Sequence, residues 1–194
     1  SVVAKRCASF FSLCLWVFLT ACSSTPEKPA PTALAQLTPL ITVTPLWSAQ
    51  AGPIASTSTL SVNASRLALV SQNGLLTVLN ADSGALVWQM ALNSPVSSGV
   101  GSDGNRFSVI TQANELVTLT DGKESWRAKL PASSFTAPLV AGGRVFVLTT
   151  DRTVLAFDGA SGQKLWTQQR SGDALVLKQA GILTSFQDNL MVGL

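Results

Sequence analysis

From residue 41 onward, short apolar runs alternate with turn residues, which is the pattern of β-strands joined by tight turns. Residues 65–70 and 75–79 form two such runs around Gln72-Asn73-Gly74, a hairpin signal. A leading strand followed by a hairpin is predicted twice more. The leading strands are residues 97–101 and 136–140, and the hairpins that follow them are residues 107–119 and 144–157. The pattern therefore predicts an all-β protein.

A fourth predicted strand in each unit carries a tryptophan at a nearly constant spacing. Trp47, Trp88, Trp126 and Trp166 are separated by 41, 38 and 40 residues. A period of about 40 residues with four antiparallel strands predicts the blade of a β-propeller. One blade cannot bury both faces of its sheet, so we expect these tryptophans to pack between blades. The alternative is that they stack on a planar cofactor.

The strand count predicts about three and a half blades within residues 41–194, as the front part of a longer propeller. Residues 174–192 are predicted to supply the first two strands of a fourth blade. Residues 41–50 are predicted to form one strand at the front, with Trp47 at the fourth-strand position of a blade that closes the ring. Because such a chain would expose an open blade face, we expect it to be poorly soluble or marginally stable by itself.

The first 40 residues have a different composition. Lys5 and Arg6 precede an apolar run of about a dozen residues, too short for a membrane span of about 20, so residues 1–21 predict an export signal. The run ends in Leu19-Thr20-Ala21-Cys22, which resembles the lipobox of bacterial lipoproteins and predicts lipidation of Cys22. The alternative is an ordinary signal peptide cut elsewhere. Residues 22–40, with four prolines, predict a flexible linker.

Charge and side-chain inventory exclude several function classes. From residue 22 onward there are 11 basic and 10 acidic residues, which gives no electrostatic footprint for nucleic acid. Histidine is absent and the three cysteines all lie within the first 22 residues, which removes Ser-His triads, cysteine metal cages and internal disulfides from the rest of the chain. The sequence predicts no catalytic residue, no metal and no cofactor.

The turns that precede the tryptophans carry aspartate, serine and glycine, as in Asp82-Ser83-Gly84 and in residues 158–162. Such side chains commonly bind their own backbone in turns. The alternative, a calcium site, needs several oxygens that converge within one loop.

The combination of the lipobox, the tryptophan repeat and the run at residues 134–146, followed by Ala156-Phe157-Asp158-Gly159, resembles the BamB family of outer-membrane lipoproteins. The resemblance implies an eight-bladed propeller at the outer membrane, facing the periplasm. It also implies a non-enzymatic scaffold of the β-barrel assembly complex that binds the barrel insertase BamA and assists nascent barrel proteins. Two alternatives are a quinone-dependent propeller dehydrogenase and a lipoprotein propeller with another envelope partner.

The same resemblance places the partner-binding segment at residues 174–179, with Leu175, Leu177 and Lys178 as contact residues. In a strand, Leu175 and Leu177 would share one side, with Val176 and Lys178 on the other, and the pattern alone favours a core position for one of these pairs. Family members often have arginine where this chain has Lys178, and lysine lacks the planar fork for bidentate pairing.

Overall fold

Strands are the only regular secondary structure in the part of the chain that the computed structural model describes, residues 44–50, 52–54, 59–169 and 181–193. All of these residues belong to one unit, Thr44–Leu194. The all-β prediction is therefore confirmed. The predicted signal and linker, residues 1–40, lie outside the described residues.

The strands form three antiparallel four-stranded sheets and one two-stranded sheet, each in chain order. The first blade contains β1 (Ser61–Asn63), β2 (Arg66–Val70), β3 (Leu75–Asn80) and β4 (Leu86–Ala91). The second contains β5 (Val96–Ser102), β6 (Arg106–Thr111), β7 (Glu115–Thr120) and β8 (Lys123–Lys129). The third contains β9 (Leu139–Ala141), β10 (Arg144–Leu148), β11 (Thr153–Asp158) and β12 (Lys164–Gln169), and the last sheet pairs β13 (Ile182–Phe186) with β14 (Asn189–Gly193). This arrangement confirms the prediction of about three and a half propeller blades.

Two predicted strands were wrong in whole or in part. Residues 44–50 are not a strand, because no described strand pairs with them and Pro45 cannot donate to a ladder. The leading strand predicted at 136–140 is only Leu139–Ala141, since Pro138 lacks the N–H that would extend the ladder. The two described strands of the last sheet lie at Ile182–Phe186 and Asn189–Gly193, and the earlier part of the predicted range, residues 174–180, lies outside the described residues.

The second blade is buried on both faces. Phe107 and Val109 belong to an apolar cluster shared with the first blade, while Ile110 belongs to a second cluster shared with the third blade. The two clusters lie on opposite faces of the sheet because successive side chains of a strand point to opposite faces. Ser108 and Thr111 are polar residues of the same strand. On the face that carries Ile110, the buried hydroxyls of the cross-strand pair Ser108 and Thr118 form a hydrogen bond of 2.8 Å.

The repeated tryptophans pack against the next blade along the chain. The buried Trp126 of β8 donates its indole N–H to the carbonyl of Gly159, at 2.9 Å, in the turn before β12. A Cβ added at Gly162 in the same turn would lie 2.5 Å from the Trp126 ring. We call this turn, residues 158–162, and its counterparts at 80–84 and 120–122, tryptophan sockets.

Trp47 makes the same contacts as Trp126, one repeat earlier. Its indole N–H donates to the carbonyl of Ala81 at 3.0 Å, and a Cβ at Gly84 would lie 2.7 Å from its ring. Trp47 therefore fills the socket of the first blade although the residues around it form no strand.

Trp88 and Trp166 differ from this pattern. Trp88 packs against Gly122 of the second blade, but in the described structure its buried indole N–H has no acceptor. The socket of the second blade is shorter than the other two, so it brings no carbonyl to that N–H. Trp166 is 38% exposed and contacts Phe146 of its own blade, with 5.9 Å between ring centroids.

Candidate partner-binding surface

Each blade has two ends that carry different loops. One end, here called the connection end, carries the turns between the second and third strands, residues 71–74, 112–114 and 149–152, together with the connections between blades. Backbone hydrogen bonds tie each turn to the connection that enters its own blade: Gln72 N to Pro53 O, Gln112 N to Pro95 O, and Thr150 N to Ser133 O. The opposite end, the socket end, carries the tryptophan sockets.

The predicted contact residues Leu175, Leu177 and Lys178 lie outside the described residues, as does Cys22. Both flanks of the contact segment are described. On one side Gln169, the last residue of β12, pairs with Thr153 at the connection end. On the other side the N–H of Gly181 donates to the hydroxyl of Thr136 at 2.9 Å. By chain order the segment is therefore the connection between the third blade and the two-stranded sheet.

The turn at residues 149–152 lies at the connection end of the third blade, between β10 and β11. The carboxylate of Asp151 accepts hydrogen bonds from the hydroxyl of Thr149 and the N–H of Thr153. Burial opposes ionisation of this carboxyl, but these hydrogen bonds outweigh it and hold the pKa of Asp151 below its usual range. The carboxylate of Asp151 therefore forms its hydrogen bonds within its own turn.

Arg152 occupies a position that is held by other residue types in the first two blades. Gly74, Asn114 and Arg152 each end the turn between the second and third strands, and their φ angles are 89°, 58° and 62°. Glycine and asparagine tolerate this left-handed conformation, whereas a long side chain with a Cβ does so at a cost. The side chain of Arg152 is half-buried, and its Nε has no hydrogen-bond partner among the described residues.

The sequence analysis did not single out Arg152, although the alignment of the three turns shows that its residue type is unusual at this position. The turn triplets Gln72-Asn73-Gly74, Gln112-Ala113-Asn114 and Thr150-Asp151-Arg152 align, and only the last ends in a charged residue. Without the φ angles, nothing marked the third position of the triplet as left-handed.

At the socket end, the turn side chains bind their own backbone. The carboxylate of Asp158 accepts hydrogen bonds from the N–H of Ala160 and from the N–H and hydroxyl of Ser161. These bonds, the Ser161 N–H first, lower the pKa of Asp158. Asn80, not Asp82, is the equivalent residue of the first blade, and its side-chain oxygen accepts the same three bonds.

Residues 44–50, 52–54, 59–169 and 181–193 contain no group of three or more Asp, Glu, Cys or His side chains that could hold a metal ion. Within the same segments no helix is long and apolar enough to cross a membrane.

Large apolar side chains are exposed on the third blade and the two-stranded sheet. Leu165 and Trp166 of β12 are 44% and 38% exposed, and Ile182, Phe186 and Met191 of the last sheet are at least 48% exposed. The second blade, which has a neighbour on each side, has no large apolar side chain exposed to this degree. The last described part of the propeller thus presents an uncovered apolar surface.

Comparison with known proteins identifies the family. The family described as "Outer membrane protein assembly factor BamB" matches residues 44–194. The chain belongs to the BamB family. The BamB of Burkholderia pseudomallei (strain K96243) is 34% identical over 167 residues, which cover 84% of this chain and 44% of that protein. The BamB of Bordetella pertussis (strain Tohama I) is 28% identical over 174 residues, covering 89% of this chain and 45% of that protein. This chain therefore spans about half the length of the curated BamB proteins it matches.

Solved structures support the propeller fold. The crystal structure of BamB from Moraxella catarrhalis is 22% identical with a TM-score of 0.54, over 61% of this chain and 37% of that one. The computationally designed Ika4 protein is 18% identical with a TM-score of 0.57, over 78% of this chain and 92% of that one. At these identities the likeness concerns the fold alone.

Proposed function

We propose that this chain belongs to a non-enzymatic scaffold lipoprotein of the outer-membrane β-barrel assembly complex, which binds the insertase BamA and assists nascent barrel proteins. The observation that carries the proposal is the BamB family match over residues 44–194. The absence of histidine from the sequence and the use of turn carboxylates for backbone bonds also favour a binding role. A rigid stack of blades suits that role, because it presents loops at fixed positions.

The proposed contact residues are Leu175, Leu177 and Lys178 in the connection between the third blade and the two-stranded sheet. Two leucines beside a cation fit a small apolar anchor with a charged rim. The connection end supports the proposal because the flanks of this segment are held by Thr153 and Thr136.

Site-specific photo-cross-linking in the native cells tests the contact. A photo-reactive residue at Leu177 is expected to give an adduct with BamA, whereas one at the exposed Lys123, at the socket end of the second blade, is expected to give none. If a folded, anchored protein gives no adduct from Leu177, or an equal adduct from Lys123, the proposed contact is wrong.

The proposed location is the outer membrane, facing the periplasm, with the chain held by acyl groups on Cys22. Each acyl methylene buried in the bilayer contributes about 0.8 kcal/mol, so several chains give stable anchoring. Metabolic labelling with a palmitate analogue is expected to label the protein and its Cys14→Ala variant but not its Cys22→Ala variant. Labelling of Cys22→Ala would show that the lipidation site lies elsewhere.

A further inference from the structure

We propose that Asp121 is a site of spontaneous isoaspartate formation, and that this modification weakens the contact between the first and second blades. In this reaction the backbone nitrogen of the residue that follows an aspartate attacks the aspartate's own side chain. The inference goes beyond the proposed function, because it concerns the chemical lifetime of the propeller. It rests on a comparison of the Asp-Gly and Asn-Gly pairs of the chain.

The reaction requires two groups that are free to meet. A C–N bond forms between the nitrogen of Gly122 and the side-chain carboxyl carbon of Asp121, and the carboxyl hydroxyl leaves with the amide proton as water. Water then hydrolyses the cyclic imide at its main-chain carbonyl and leaves an isoaspartate, whose peptide bond runs through the side chain. Glycine in the second position favours the attack because it has no Cβ in the way. A carboxylate or an N–H that forms other hydrogen bonds must first lose them.

In the pair Asp158-Gly159 both groups form hydrogen bonds. The carboxylate of Asp158 accepts hydrogen bonds from the N–H of Ala160 and from the N–H and hydroxyl of Ser161. The N–H of Gly159 donates to the carbonyl of Gly143 at 2.8 Å. The folded structure therefore protects this pair.

The pair Asp103-Gly104 is protected in the same way. The carboxylate of Asp103 accepts hydrogen bonds from the N–H groups of Asn105 and Arg106, and it forms an ion pair with the Arg106 guanidinium at 3.4 Å. The N–H of Gly104 donates to the hydroxyl of Ser102 at 2.9 Å. Both reacting groups are again bound to other atoms.

The pair Asp121-Gly122 has neither protection. Among the described residues, the exposed carboxylate of Asp121 accepts no hydrogen bond and forms no ion pair, and the N–H of Gly122 has no acceptor. The chain's Asn-Gly pair differs, because the N–H of Gly74 donates to the carbonyl of Ser71 at 2.9 Å. Of the three Asp-Gly pairs in the sequence, Asp121-Gly122 is therefore the one in which both reacting groups are available.

The position of this pair gives the modification a structural consequence. Asp121 and Gly122 form the two-residue turn between β7 and β8, which closes on the paired residues Thr120 and Lys123. Isoaspartate adds one methylene to the backbone of this turn, and loop length determines the turn type and the register of a hairpin. A Cβ at Gly122 would lie 3.3 Å from Trp88, which reaches this turn from the first blade. A change in the turn therefore disturbs the packing of that indole.

Peptide mapping of stored protein tests the proposal. The purified protein is stored at near-neutral pH, either folded or in concentrated urea, and is then digested with trypsin. Cleavage after Arg106, Lys123 and Arg152 places the three Asp-Gly pairs in different peptides. Isoaspartate leaves the mass of a peptide unchanged, but it shifts the retention time and gives characteristic fragments on electron-transfer dissociation.

In the folded protein, we expect isoaspartate at residue 121 to exceed that at residues 103 and 158 by at least about tenfold, because several hydrogen bonds must break before those two pairs react. In urea the three pairs should react alike. Equal amounts at the three positions of the folded protein, or none at residue 121, would overturn the proposal. A preference for residue 121 that persists in urea would also overturn it, since local sequence would then explain the difference.

Asp121→Ala separates the modification from other effects of storage. Alanine adopts the same left-handed conformation elsewhere in this chain, because Ala64 has a φ of 53° and Asp121 a φ of 50°. We expect storage to lower the melting temperature of the unmodified protein but not that of Asp121→Ala. An equal decline in both would show that isoaspartate does not weaken the contact between the blades. None of these outcomes depends on the Leu177 adduct, so this inference and the proposed function fail separately.

Discussion

The ring of Trp126 contacts the backbone of Gly162 so closely that a Cβ at residue 162 would lie 2.5 Å from it. Gly162 also has a φ of 73°, so two separate requirements favour glycine there. The first is a left-handed turn, and the second is room for the indole of the preceding blade. These requirements can be separated experimentally.

Gly162→Ala is expected to destabilise the fold more than Gly142→Ala. Gly142 has a φ of 59° but nothing within 4 Å of an added Cβ, so its substitution costs only the left-handed backbone, about 1–2 kcal/mol. Gly162→Ala must also displace Trp126, which adds about 1–3 kcal/mol of overpacking. Urea unfolding of both variants measures the difference, and equal free energies of unfolding would contradict the steric role of the socket.

Trp126→Phe is expected to cost more than Trp88→Phe. The first substitution leaves the buried carbonyl of Gly159 without its donor, a loss of about 1–3 kcal/mol. The second removes an indole N–H that has no acceptor in the described structure, while a phenyl ring can keep the edge contact with Phe107. The free energies of unfolding of the two variants give the comparison. A larger loss for Trp88→Phe would show that its N–H does have a partner.

Trp47→Ala is expected to lower the melting temperature, and Leu46→Ala is not. Trp47 fills the socket of the first blade and donates to Ala81, whereas the adjacent Leu46 is 90% exposed. Removal of Trp47 would leave a cavity against Gly84 and an unpaired carbonyl, with an expected cost of about 2–4 kcal/mol. Thermal unfolding followed by circular dichroism provides the test. Identical melting temperatures for the two variants would mean that residues 44–50 are not attached to the blade in solution.

Asp158→Asn is expected to remove part of the loss of stability in acid. The pKa of the Asp158 carboxyl is lower in the folded chain than in the unfolded chain, so ionised Asp158 stabilises the fold above the unfolded-state pKa. That contribution disappears as the pH falls through the folded-state pKa. Asparagine accepts the same turn hydrogen bonds, as Asn80 does, but does not ionise.

The measurement is the urea midpoint at neutral and at acid pH. The unmodified protein should exceed Asp158→Asn at neutral pH, and the difference should vanish in acid. Asp82→Asn is the control, because Asp82 corresponds to Ala160 and not to Asp158 in the equivalent turn. A difference between the unmodified protein and Asp158→Asn that stays constant with pH would show that ionisation of Asp158 does not contribute.

Local patterns predicted the blades well, because alternation and turn residues specify hairpins without reference to the rest of the chain. Gln72-Asn73-Gly74 and the strands beside it are an example. Features that depend on a neighbouring blade were not predictable in this way. The attachment of Trp47 to Gly84, for example, joins residues that are 37 positions apart in the chain. The contact residues Leu175, Leu177 and Lys178 came from family resemblance alone and stay a prediction.

The tryptophan contacts also imply an order in which the blades of the propeller assemble. Trp47, Trp88 and Trp126 each precede the glycine they touch, Gly84, Gly122 and Gly162, by 37, 34 and 36 residues. When the chain is exported from its N-terminal end, each of these three tryptophans therefore emerges before the turn that will cover it. A newly completed blade finds the indole of its predecessor already in place, so the stack can grow from the N-terminal end by one blade at a time.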